Sequence, residues 1–248
     1  MRVLRFTLRA LLVLTWVMLG LLVILLAFPF LRRSGRLLAK QYWSEVLLWL
    51  CGVKVSHSGV PLLKGPVLWV VNHVSWLDIF AVNTVRAVVF VAKSEIRHWP
   101  LLGLLARGAG SIFIERASRH AVQKVGREMQ DIFELGQVVG LFPEGTTSQG
   151  YDLLPFYANL FEPARRANVP IQPVALLFFH HDKRSDFAAF VGEQNLIQNL
   201  WKVLGGKGVR IEVDFLAPIW VPDGLPPPAR AELAARAHQV LREVLLRR

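Results

Sequence analysis

His73 and Asp78, five residues apart in Asn72-His73-Val74-Ser75-Trp76-Leu77-Asp78, are the residue types that general-base chemistry uses. A carboxylate on one imidazole nitrogen fixes the tautomer and steadies the imidazolium, so the other nitrogen can take a proton from a hydroxyl. In mid-helix, five residues turn two side chains about 140° apart and out of reach. With His73 in a turn and a helix starting near Ser75, Asp78 points back and the pair can form. The same residues also describe a plain helix start, in which Ser75 caps, Asp78 completes a capping box and His73 is satisfied by backbone. Two further stretches carry polar groups at the end of an apolar run. In Gly110-Ser111-Ile112-Phe113-Ile114-Glu115-Arg116, the planar fork of Arg116 suits a phosphate or carboxylate, or an acid at the sheet rim. In Leu141-Phe142-Pro143-Glu144-Gly145-Thr146-Thr147-Ser148, Gly145 permits close backbone approach. Amide hydrogens beside Thr146, Thr147 and Ser148 could cradle an anion or a developing oxyanion.

Elements that would hold these groups follow from hydrophobic period. Pro66-Val67-Leu68-Trp69-Val70-Val71 reads as a buried strand, which puts His73 at a strand's carboxyl end, where α/β folds place chemistry. Short β-branched runs at 53–55, 67–71, 87–91, 112–114, 138–142, 171–177 and 209–215 are the candidate strands. Between them, Val122, Val125, Met129, Ile132 and Phe133 form one helical stripe closed by Gly136. Leu233, Ala237, Val240, Leu241, Val244 and Leu245 form another, after Pro226-Pro227-Pro228. The alternation predicts a single α/β domain: a central mixed sheet of about seven strands covered by helices on both faces. Pro170 and Pro173 interrupt the 171–177 run and point to a sheet edge.

At 248 residues the chain has room for that domain and an anchoring element. No charged residue occurs between Ala10 and Leu31, and about 22 residues at 1.5 Å each reach roughly 33 Å, enough to cross a hydrocarbon core. Arg2, Arg5 and Arg9 precede this run, and Arg32, Arg33, Arg36 and Lys40 follow it, which favours a cytoplasmic body at the inner membrane. Ala39, Tyr42, Trp43, Val46, Leu47 and Leu50 then recur at helical spacing, an amphipathic helix over 36–50 that would lie in the interface or pack on the domain. The expected organisation is an anchor over 1–51 and a body over 52–248. A net charge of +11 calls for an anionic partner, nucleic acid or a lipid surface. Membrane lipid accounts for the apolar run, whereas the aromatic and basic interleaving of nucleic-acid modules is missing. Cys51, the single cysteine, excludes an internal disulfide and a cysteine-cluster metal site. His180-His181-Asp182 makes no metal site, because adjacent histidines on a strand point apart, and Gly205-Gly206-Lys207-Gly208 reads as a hairpin turn.

Four stretches in this order, the His-Asp run, the strand ending in Arg116, Phe142-Pro143-Glu144-Gly145-Thr146 and the proline-interrupted strand, make the chain resemble the 1-acylglycerol-3-phosphate acyltransferase family, the lysophospholipid acyltransferases. The resemblance covers roughly residues 66 to 180 and implies transfer of a fatty acyl group from acyl-CoA or acyl-ACP to the hydroxyl of a lysophospholipid. It implies no resident cofactor, the thioester being a co-substrate. His73 would be the base and Asp78 its orienting partner. Arg116, Glu144, Gly145 and Thr146 would belong to the site for the acceptor's polar head, and Lys93 matches a lysine that the family often places there. Transfer would be direct, since no G-x-S-x-G elbow is present. The chain departs from the resemblance at Thr147, where an arginine is frequent, and at Tyr157, where a lysine is usual. The expected acceptor is lysophosphatidate, giving phosphatidate; two missing cations weaken a site for a bare phosphate monoester, which leaves another lysolipid such as lyso-ornithine lipid as the alternative acceptor. A non-catalytic basic scaffold on the membrane surface is the reading from another class, and it would tolerate loss of His73 and Asp78.

Overall fold

The computed structural model describes residues 1–114, 119–220 and 228–248, with the backbone alone for 119–122. Arg116, Pro226 and Pro227 lie outside the described residues. Eight strands form one sheet: β1 (Val53–Gly59), β2 (Val67–Val71), β3 (Val88–Lys93), β4 (Ile112–Ile114), β5 (Val138–Leu141), β6 (Ile171–His180), β7 (Lys183–Arg184) and β8 (Val209–Phe215). Their order is β1-β8-β6-β2-β5-β3-β4, with β7 hairpinned onto β6. Strands β2 to β6 run parallel, β8 runs antiparallel to β6, and β1 runs parallel to β8, so the sheet is mixed. All five residues of β2 are buried, as expected of a parallel strand covered on both faces.

Helices α1 (Arg2–Leu22), α2 (Arg33–Cys51), α3 (Leu77–Asn83) and α7 (Leu196–Gly205) belong to one face, and a short helix α4 (Leu102–Gly108) precedes β4. On that face Leu47, Leu48 and Cys51 of α2, Leu77 and Ala81 of α3, and Val203 of α7 close over Trp69, Val71, Phe90 and Val213. The other face carries α5 (Arg119–Glu134), α6 (Glu162–Arg166) and α8 (Arg230–Arg247), with Met129, Phe133, Leu233 and Leu241 over Leu68, Val70 and Leu177. Val125, Met129 and Phe133 of the first expected stripe, and Leu233, Ala237, Leu241 and Leu245 of the second, are thus the sheet-facing sides of α5 and α8, while the side chain of Val122 lies outside the described residues.

Three expectations need correction. The proline-interrupted strand is central, between β2 and β8. Its ladder to β8 begins at Val174↔Phe215 and an isolated bridge joins Ile171 to Ile219, so Pro173 sits between them where no amide hydrogen is needed. The glycine run at 205–208 closes α7 and leads into β8, rather than turning a hairpin. The apolar helix starts at Arg2 and not at Ala10, and after Leu22 it continues as a π-helical turn, Val23–Ala27. Its early arginines do not all stand free as membrane flanks. Arg5 Nε donates to Gly205 O at 2.9 Å and Arg9 Nη1 to Gly206 O at 2.8 Å, so two cations cap the negative end of α7. Trp16 Nε1 and Trp43 O, and reciprocally Trp43 Nε1 and Trp16 O, bond α1 to α2 at 3.0 and 3.2 Å. The outward side of α1 keeps Leu4, Leu8, Leu11 and Leu14 exposed, and Leu25 and Leu26 of the π-helical turn are exposed as well.

Candidate active site

β2 ends at Val71, and the next residue extends its ladder with a side chain. Asn72 Oδ1 accepts from Leu176 N at 2.7 Å while Nδ2 donates to Leu176 O at 3.1 Å, pinning the end of β2 to β6. The chain then leaves the sheet through His73 to Trp76 and enters α3 at Leu77, with Asp78 in its first turn. Asp78 Oδ2 accepts three bonds: His73 Nδ1 at 2.7 Å, Val74 N at 2.7 Å and Ser75 N at 2.9 Å. The carboxylate therefore satisfies the helix-start backbone and orients the imidazole at the same time, and the two sequence readings of this stretch are not alternatives. Ser75 is no side-chain cap, since its Oγ is buried with no hydrogen-bond partner among the described residues, as is Asp78 Oδ1. An ionised carboxylate can only accept, so Nδ1 carries the hydrogen and Nε2 presents its lone pair. Asp78 is fully buried, whereas the His73 side chain keeps 21% of its surface open.

The ring is held from the side as well. His73 stacks on Phe142 at 4.1 Å between centroids, and Phe142 stacks on Phe90 at 5.3 Å. Gly140 makes room for this pile, because a Cβ there would lie 2.5 Å from Phe90 Cε1. Glu144 grips the backbone below. Its Oε1 accepts from His73 N at 2.8 Å and its Oε2 from Leu154 N at 3.0 Å, so both oxygens of this buried carboxylate are directed to main chain. Burial pushes its pKa up, opposed by those two amide bonds and by His73. Gly145 adopts φ +71°, and the turn returns to the segment after β2 through Ser148 N, which donates to His73 O at 2.7 Å. Thr146 is exposed at the mouth, whereas Thr147 Oγ1 bonds Phe190 O. Lys93 is exposed at the carboxyl end of β3, the same sheet edge as His73.

Of the residues singled out in the sequence, the structure brings His73, Asp78, Glu144 and Gly145 into one bonded cluster and leaves Thr146 and Lys93 at the rim. Sequence reading passed over Asn72 and Arg184. Arg184 lies on β7, and its Nη2 donates to Gly150 O at 2.8 Å while its guanidinium faces the rings of Tyr151 and Phe179. Gly150 in turn abuts Val74, next to His73. His181 and Asp182, expected on a strand with adjacent histidines pointing apart, instead adopt positive φ angles of 50° and 62° and form the tight turn that folds β7 back on β6, with the His180 and His181 ring centroids 4.3 Å apart.

A His–Asp pair held at the carboxyl ends of the parallel strands invites comparison with known enzymes. The family model for the Acyltransferase domain matches residues 52–177, which hold the whole cluster. The chain belongs to the Acyltransferase family. Among curated acyltransferases it is 35% identical over 205 residues to the lyso-ornithine lipid O-acyltransferase of Pseudomonas aeruginosa, covering 83% of this chain and 77% of that one. It is 39% identical over 150 residues to the 1-acyl-sn-glycerol-3-phosphate acyltransferase of Neisseria gonorrhoeae, covering 60% of this chain and 59% of that one. The crystal structure of the 1-acyl-sn-glycerophosphate (LPA) acyltransferase PlsC from Thermotoga maritima superposes with a TM-score of 0.68 over 99% of this chain and 96% of that one, at 21% identity. At that identity the superposition shows the fold. For an acyltransferase, the buried Cys51 offers no competing nucleophile, since burial pushes its thiol up to about 12.

Proposed function

We propose that this acyltransferase moves a fatty acyl group from a CoA or acyl-carrier-protein thioester directly to the hydroxyl of a lysolipid. The observation that carries the reading is the 2.7 Å bond between His73 Nδ1 and the fully buried Asp78. His73 Nε2 takes the hydroxyl proton as the oxygen attacks the thioester carbonyl. The tetrahedral intermediate then collapses, the C–S bond breaks, and the imidazolium returns the proton to the departing thiolate. The amide hydrogen of exposed Thr146, beside Gly145, serves the oxyanion. Glu144 acts on the acceptor site through the backbone it holds, and Lys93, with Arg116, supplies charge for the acceptor's head.

The departures at Thr147 and Tyr157 favour an acceptor other than a bare phosphate monoester. Thr147 is turned to a carbonyl and Tyr157 carries a phenol, so neither offers a cation. Arg184 has no ion-pair partner among the described residues and suits a single carboxylate, as an amino-acid head provides. The alignment with the lyso-ornithine relative, which runs longer than that with the neisserial enzyme, points the same way. Residues 1–51 act as the membrane anchor of a body over 52–248 on the cytoplasmic face, with the exposed leucines of α1 turned to lipid.

Thiol release by the purified full-length protein, from acyl-CoA and acyl-ACP in parallel, tests this with lyso-ornithine lipid, lysophosphatidate and monoacylglycerol as acceptors. Release should require a lysolipid and be fastest with lyso-ornithine lipid. Release at one rate with every acceptor, or with none, would end the reading.

A further inference from the structure

A charged cleft lies at the opposite edge of the sheet from His73, where β3 and β5 begin. It encloses about 300 Å³ between the start of α2 and the end of α5, and Arg33, Leu37, Leu38, Arg86 and Leu135 are among its walls. Arg86 spends three donors on neutral oxygens, Nη1 on Leu62 O at 3.1 Å and Nη2 on Gly65 O and Gly136 O at 2.9 and 3.0 Å. Arg33 Nε donates at 2.7 Å to Gln137 Oε1, with the amide oriented so that its oxygen faces the guanidinium. These bonds fix both forks and neutralise neither. No carboxylate pairs with Arg33 or Arg86 among the described residues, so two whole charges stand at the cleft with donors left over.

Apolar surface adjoins them directly. Leu38 is 66% exposed and Leu135 is 56% exposed. The turn that leads into Arg33 carries Phe30 at 89%, following Leu25 and Leu26 at 70% and 61%. Positive charge from exposed Arg33 and half-buried Arg86, set beside exposed leucine and phenylalanine, matches one kind of molecule, an anionic amphiphile with its head in the cleft and its chains along α1.

We infer that the Arg33–Arg86 cleft binds the phosphodiester head of an anionic membrane phospholipid, at a site separate from the acyl-transfer centre. Its leucines take the glycerol and the first methylenes, and the two guanidinia take the phosphate. The site seats the sheet edge at headgroup level whether or not His73 performs the chemistry proposed above.

Native mass spectrometry of the delipidated full-length protein tests the inference, with phosphatidylglycerol or phosphatidylcholine added back in detergent. One phosphatidylglycerol should be retained per chain at a concentration at least tenfold below that needed for phosphatidylcholine. Arg33→Gln should weaken retention about fivefold, the effect of one guanidinium at a lipid surface. Arg32→Gln removes the same charge outside the cleft and should change retention less than twofold. Leu38→Gln touches no hydrogen bond and should also weaken retention, which covers the case in which Arg33→Gln fails to fold. Equal retention of the two lipids, equal loss in the Arg32 and Arg33 variants, or release by soluble glycerol 3-phosphate would each overturn the site.

Discussion

Glu144 shows at the scale of one residue how the site is built. Its two oxygens serve two backbone amides, one of them His73's own, and a glutamine cannot do both, because its amide nitrogen would face an N–H. Glu144→Gln should therefore cost about 1–3 kcal/mol of stability. It should also lower kcat more than it raises KM, because the main chain that carries His73 is released. Thermal melts followed by near-UV circular dichroism, with steady-state kinetics on the same preparation, check this, and an unchanged melting temperature would refute the clamp. The sequence disclosed Glu144 only through resemblance, as part of the acceptor site. Nothing in Phe142-Pro143-Glu144-Gly145 says that its carboxylate turns inward to main chain 71 residues away. His73 and Asp78 were legible because local geometry decides their pairing. Asn72 was not, since its partner Leu176 comes from a strand 104 residues further along.

At the scale of elements, the strands were legible because each is a short apolar run set off by turn residues, and all seven expected strands are present. The two-residue β7 has too little pattern to be seen. The central place of β6 was hidden as well, because proline is excluded only from positions whose amide hydrogen the ladder needs, and position 173 is not one. Helix contacts hold a further surprise in Lys40 of α2, whose Nζ donates to Ala109 O at 3.1 Å and to Val88 O. The ammonium thus ties α2 to the start of β3 and to the chain entering β4. Burial pulls its pKa down to about 8. Between that value and the ordinary lysine value of 10.5, the unfolded chain binds a proton that the folded chain does not, so stability rises with pH across the window. The neutral amine still donates to both carbonyls. Compared with Lys40→Met, the wild type should gain up to about 3 kcal/mol from pH 8 to above pH 10. Chemical denaturation of both proteins across that range checks it, and parallel pH profiles would contradict it.

For the whole molecule, the apolar N-terminal helix and the charge of +11 act together but differ in their response to salt. Burial of exposed leucines in lipid is indifferent to ionic strength, whereas attraction to an anionic leaflet is screened within about a Debye length. Binding to phosphatidylglycerol vesicles should weaken severalfold between 0.05 and 0.5 M NaCl, and binding to phosphatidylcholine vesicles should not. Co-sedimentation distinguishes the two, and equal loss from both would mean that α1 contributes little. The sequence indicated an apolar segment of spanning length, yet not that Arg5 and Arg9 would reach back to the carbonyls of α7. That contact depends on a helix almost 200 residues away, which no local pattern encodes.

All of the proposed chemistry passes through the imidazole at the end of β2, and rapid mixing of excess enzyme with labelled acyl thioester examines it most directly. With lysolipid present, the wild type should transfer the acyl group in a single turnover, with no acylated enzyme at any time. His73→Ala should be slower by about 10²–10⁴ with its melting temperature preserved. Wild-type turnover by His73→Ala, or an acyl-enzyme that accumulates before the lysolipid is added, would contradict the account.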